Sequence, residues 1–172
     1  MQNTKTKELC IKAMFCAVIM LATMSFKIPV PATNGYIHLG DSLILIISVF
    51  FGVRYAVIPA ALGSMLADVL SGYAFWAPYT LVIKGVMAFV CAKIASEQGG
   101  EKFINPRNIL APVVAVAVMV TGYFFVGVLL KGGFAAAAAG LPGDLIQGFG
   151  GMAIYLAVGS VLYTRRKLLR LP

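Results

Sequence analysis

Short clusters of Lys, Arg, Pro and Gly cut this chain into long apolar runs, and the length of those runs confines it to a membrane fold. A helix needs about 20 apolar residues to cross about 30 Å of hydrocarbon. The runs near 9–26, 80–95, 109–130 and 143–163 meet that requirement, 80–95 only narrowly. With 60% hydrophobic and 12% charged residues and a mean hydropathy of +0.92, the chain has too little polar surface for a soluble globule. The longest polar stretch, 96–108, is too short to build a second core, so the 172 residues read as one membrane domain.

The stretch 41–71 admits two readings. As one helix it would run about 46 Å and carry Arg54 to mid-membrane. As two helices broken at Gly52, Arg54 and Pro59, it places Arg54 in a turn at a surface. Charge bias favours the second, because short cytoplasmic loops are enriched in Lys and Arg. With six spans, all of the 14 basic residues except Lys27, Lys84 and Lys131 fall on the side of the termini; with five, the tail bearing Arg165, Arg166, Lys167 and Arg170 would face outward. The expectation is therefore an all-α integral membrane protein of six transmembrane helices, near 9–26, 41–53, 55–71, 78–95, 109–130 and 143–163, with both termini cytoplasmic. The first is retained as a helix, since Phe26-Lys27-Ile28-Pro29 offers no small-residue cleavage site. The net charge of +8 reflects orientation and not nucleic-acid binding, because the basic residues lie at the ends of apolar segments. Cys10, Cys16 and Cys91 lack CxxC spacing and read as reduced packing residues.

Three connections then face outward, 27–40, 72–76 and 131–142, and they hold most of the distinctive chemistry. The first carries Pro29, Pro31, Asn34, Gly35, Tyr36 and His38 before Gly40-Asp41, and is long enough to act as a lid. The second brings Tyr73, Trp76 and Tyr79 to the membrane surface, as a stacking wall or as an interfacial aromatic belt. The third leads through Ala135 to Ala139 to Pro142, with Asp144 and Gln147 one turn inside the last helix. Asp41 and Asp144 are most simply first-turn or capping carboxylates. His38 has no Cys or His at ligand spacing and is no metal site.

Lys84 resists a bland reading. An ionisable side chain near the bilayer centre costs on the order of 2.5 to 3.5 kcal/mol. It lies 8 to 9 Å, roughly, below the outer end of its helix, and requires an acceptor, either a carboxylate such as Asp68 or a polar ligand atom. Asp68 itself is placed to pair with Lys84 or Lys27. Small residues four apart, Ala13 with Ala17 and Gly63 with Ala67, mark faces that another helix can approach closely. No GxxxxGK[ST], HExxH or GxSxG is present, so neither ATP binding nor catalysis is expected, and no cofactor or metal.

AxxxA in the first helix, NGYIHLGD before the second, FGVRYAVIPAALGSMLADVLSGY and WAPYTLVIKGVMAF together resemble the S components of energy-coupling factor (ECF) vitamin transporters. The resemblance is strongest over 13–84 and is closest to the riboflavin, hydroxymethylpyrimidine and pyridoxine group. It implies a membrane subunit that captures one vitamin at the outer face and delivers it with a transmembrane coupling protein, EcfT, and two ATPases. By position it implies that Ala13 and Ala17 contact EcfT and that Asn34 to Asp41 close over substrate. Asp68, Trp76, Tyr79 and Lys84 would approach the ligand. Side-chain chemistry extends the pocket to Tyr123, Asp144 and Gln147; Tyr36 and Asp41 are further substrate-binding candidates, and Asn34, His38 and Lys84 offer hydrogen bonds. A neutral hydroxylated pyridine or pyrimidine, pyridoxine or hydroxymethylpyrimidine, fits that set; riboflavin needs a larger pocket. A membrane scaffold and a self-sufficient proton-coupled carrier using Asp68 remain the other classes.

Overall fold

The computed structural model describes residues 2–30, 35–96 and 101–165. Its elements are α1 (Gln2–Ser25), β1 (Lys27–Val30), β2 (Gly35–His38), α2 (Gly40–Leu70), α3 (Ala77–Ile94), α4 (Pro106–Lys131), a short α5 (Phe134–Ala138) and α6 (Leu141–Thr164). Proline stands in the first turn of α3, α4 and α6, where its missing N–H breaks no helical bond. Asn105 caps α4, its side chain accepting from the Asn108 backbone N–H at 3.0 Å.

The ambiguous segment folds back on itself. Gly40 at the start of α2 lies against Thr23, and Ser71 just past its end accepts a hydrogen bond from Lys27 Nζ at 2.9 Å, so both ends of α2 sit at one end of α1. Its middle sits toward the other end of α1, with the Phe51 ring 4.9 Å from Phe15 and Arg54 paired with Glu8. A straight helix of 31 residues would hold its ends about 46 Å apart. The reversal occurs at Gly52, whose φ of 69° and ψ of −175° form a combination that a side chain strongly disfavours. Pro59 sits inside the returning half without ending it. Among the described residues five helical runs are long and apolar enough to cross a membrane, this folded one counted once.

The connection expected as an ordered loop contains an antiparallel hairpin, with Lys27 opposite His38 and Pro29 opposite Tyr36. The described residues are therefore helical with one small two-stranded sheet. Asn34 lies outside the described residues.

α2, α3, α4 and α6 close a ring, while α1 packs chiefly on the outside of α2 and touches β2. The approach of α1 to α2 is close, because a Cβ on Gly63 would stand 2.7 Å from the Cys16 carbonyl oxygen. The core is apolar from Ile44 to Phe50 on α2 through Met87 and Cys91 on α3 to Ala115 and Met119 on α4. At the Gly52 end Phe103 plugs it, stacked 5.9 Å from Phe50 and 5.4 Å from Tyr155. The opposite end, beneath the hairpin, is filled with polar side chains.

Candidate functional site

The reversal of α2 brings its first and last turns, and hence Asp41 and Asp68, to the hairpin end of the bundle. Asp41 is fully buried and caps no helix terminus: the residue at the helix N-cap is Leu39, with no side-chain hydrogen bond. Its Oδ1 instead takes the ammonium of Lys84 at 2.5 Å, and its Oδ2 accepts from Gln147 Nε2 at 2.8 Å. Lys84 is equally buried, also touches Met119 Sδ at 3.1 Å, and lies 5.3 Å from the centre of the Tyr123 ring. Gln147 Oε1 in turn accepts from the His38 backbone N–H at 3.2 Å, which fastens the hairpin to α6. The His38 ring accepts the Gly40 N–H on Nδ1 at 3.1 Å, so its proton sits on Nε2. Burial pushes His38 down to about 4, Asp41 opposing the shift and Lys84 adding to it. Both oxygens of Asp41, the Lys84 ammonium and both ends of the Gln147 amide have partners, as a low-dielectric site requires.

Above the knot opens a cavity of about 680 Å³, mouth included. Tyr36, Ile37 and His38 of β2 form one wall; Asp68 of α2 with Trp76 and Thr80 at the head of α3 form a second. Tyr123, Gly127 and Lys131 of α4, Ala137 of α5, and Gly140, Gly143, Asp144 and Gln147 of α6 complete it. Trp76 and Tyr123 meet edge to face, ring centres 6.1 Å apart, and the Lys131 ammonium lies 5.9 Å from the centre of the Trp76 ring. Tyr123 donates to Thr80 Oγ1 at 3.1 Å.

Asp68 does not pair with Lys84 or Lys27. Its Oδ1 accepts from the Tyr36 hydroxyl at 2.7 Å, and its buried Oδ2 receives no hydrogen bond within normal geometry. Burial, then the charge of Asp68, raises Tyr36 above the usual phenol range, so the hydroxyl keeps its proton and donates. The Tyr36 ring stacks at a tilt on Tyr73, centres 4.6 Å apart.

Seven of the sequence-predicted residues thus line one space: Tyr36, His38, Asp68, Trp76, Tyr123, Asp144 and Gln147. Lys84 and Asp41 lie beneath it as a buried pair, and Tyr79 packs against the apolar core. Thr80 and Lys131 are wall residues that sequence reasoning missed, although helical spacing points to both: Thr80 follows Trp76 by one turn, and Lys131 follows Tyr123 by two. Ala13 and Ala17 stand on the exposed face of α1, away from the cavity.

Comparison with known proteins agrees with this architecture. The family model for the ECF-type riboflavin transporter, S component, matches residues 3–164. An uncharacterized protein of Pyrococcus woesei is 35% identical over 147 residues, 86% of this chain and 95% of that one. The thiamine precursor transporter HmpT of Lactococcus lactis subsp. cremoris (strain MG1363) is 27% identical over 148 residues, 86% of this chain and 82% of that one. A solved structure of the S component of a bacterial ECF transporter superposes with a TM-score of 0.69 at 18% identity, covering 92% of this chain and 96% of the other; it supports the fold.

Proposed function

Because the chain belongs to the family of ECF-type riboflavin transporter S components, we propose that it captures one small ring-shaped vitamin at the outer membrane face for ATP-driven uptake. Hydroxymethylpyrimidine or pyridoxine is the ligand that best suits the site. The observation that carries this reading is the convergence of Trp76, Tyr123, Asp68, Asp144 and Gln147 on one cavity of about 680 Å³ under the hairpin. Its aromatic walls with a few convergent polar groups have the make-up usual for small-molecule sites. Tyr36 and His38 on the hairpin would cover the ligand. Lys84 and Asp41 would act from below, by holding Gln147. Riboflavin is the second reading, favoured by the family match itself.

We place six crossings in the single domain, the halves of α2 counting as two, with both termini in the cytoplasm. Arg54, Lys93 and Arg107 gather around one space at the Gly52 end, which the positive-inside bias assigns to the cytoplasm, leaving the hairpin outside. The partners would be the coupling protein EcfT and two ATPases. Support comes from α1, which packs chiefly on α2 and leaves Ala13, Ala17, Met14 and Val18 exposed along one side.

Titration of the purified protein with hydroxymethylpyrimidine, pyridoxine and riboflavin, read by the fluorescence of its one tryptophan, Trp76, tests capture. Failure of all three at micromolar concentration would leave a scaffold. Ala13→Leu with Ala17→Leu should spare binding and abolish uptake in cells that carry the ATPases. Uptake that persists without the ATPases and collapses with the proton gradient would mark a self-sufficient carrier.

A further inference from the structure

Asp68 is a carboxylate of the cavity wall with one buried oxygen that receives no hydrogen bond of normal geometry. It is 5% exposed, its Oδ1 is held by Tyr36, and the donor nearest to completing its shell is the Thr80 hydroxyl. Leaving such an oxygen unsatisfied is costly, the more so when it is charged. Nor do the described residues supply a counter-ion. Lys84 is committed to Asp41 at 2.5 Å, and Lys27 donates to Ser71 at 2.9 Å. The Lys131 ammonium rests against the Trp76 ring, and no cation among the described residues lies within ion-pair distance of Asp68. The consequence for ligand charge is direct. Lys84, the group that would repel a positive ligand, is neutralised below the cavity, while Asp68 and Asp144 both face it. Trp76, Thr80 and Tyr123 line the same cavity as Asp68, the two rings meeting edge to face and offering aromatic surface to a ring-shaped ligand.

We propose that Asp68 is a specificity-determining residue, its Oδ2 accepting a hydrogen bond from a ring amino group, so that the site selects amino-substituted nitrogen heterocycles over their oxo-substituted counterparts. This rests on the vitamin-capture reading above and narrows its substrate class. An amino group presents N–H to the free oxygen; an oxo group in the same place sets one lone pair against another. Sites built to receive a hydrogen-bonding group reject the analogue that lacks it far more strongly than apolar pockets sort by size. Protonation of the ring strengthens the bond by making it charge-assisted.

The test compares 4-amino-5-hydroxymethyl-2-methylpyrimidine with its 4-oxo counterpart on the intact protein in detergent, by calorimetry. The amino compound should bind at least about tenfold more tightly. Asp68→Asn, whose amide can donate, should remove or invert that preference while the melting temperature confirms folding. The unsubstituted protein alone already decides the main point, so a misfolded variant does not shield the proposal. Equal affinity, or preference for the oxo compound as a protonated Asp68 would give, overturns it. So does an unchanged preference in a folded Asp68→Asn. Binding of pyridoxine or riboflavin but of neither pyrimidine overturns the amino selectivity and leaves the capture reading standing; binding of no ring vitamin sinks both.

Discussion

Asp41 and Asp68 come from opposite ends of α2, reach the same end of the bundle, and meet opposite fates. Asp41 has both oxygens taken, by Lys84 and Gln147, under a lid of backbone and side chain. Asp68, a residue of the cavity wall, has one taken by Tyr36 and one buried without a hydrogen bond of normal geometry. Both are buried carboxylates, so burial alone does not separate structure from binding. What separates them is whether the chain itself completes the hydrogen-bonding shell. Asp41 belongs to the scaffold that fixes the hairpin and α6; Asp68 has a place for a visitor.

The largest effect expected from this contrast is on the closed pair. Asp41→Asn or Lys84→Met alone leaves an uncompensated buried charge and should cost about 3–5 kcal/mol, seen as a large fall in melting temperature. Asp41→Asn combined with Lys84→Met removes both charges and should recover most of that loss, since a neutral replacement of a buried pair is often neutral or stabilising. Single variants that melt like the unsubstituted protein would break the comparison at its first term.

A smaller effect tests the hairpin's grip on the same knot. The imidazole of His38 ordinarily titrates at 6.5 and is pushed down to about 4. Between those values the unfolded chain binds a proton that the folded chain refuses, so stability falls as pH drops through that window. Lowering pH from 7 to 5 should remove about 2 kcal/mol through this group. His38→Gln should flatten that part of the profile, measured as melting temperature against pH.

Much of this was legible in the sequence, and the exceptions share a cause. The break at Gly52 follows from a glycine beside an arginine in a run too long for one crossing. The wall formed by Trp76, Tyr123, Asp144 and Gln147 follows from placing aromatic and polar residues at the outer ends of their helices. The pairing of Lys84 with Asp41 was not readable, because local chemistry makes Asp41 a cap, and only the return of α2 and the approach of α3 set the two side chains together. The same holds for Tyr36 on β2 and Asp68 in the last turn of α2, which meet though 32 positions apart. Helix positions, periodicity and charge bias are local properties; which donor satisfies which acceptor depends on the closed ring.

The smallest expected change in stability sharpens the contrast most. Tyr36→Phe removes the hydroxyl that donates to Asp68 Oδ1 and leaves the ring to stack on Tyr73 as before. Because Asp68 borders the cavity, water can enter and replace the lost donor, so the cost to folding should be about 1 kcal/mol or less. Ligand affinity should nonetheless fall by about tenfold, since Asp68 would no longer be oriented for its visitor. If Tyr36→Phe instead lowers the melting temperature as much as Asp41→Asn does, Asp68 is a second scaffold carboxylate and its free oxygen has no ligand to serve.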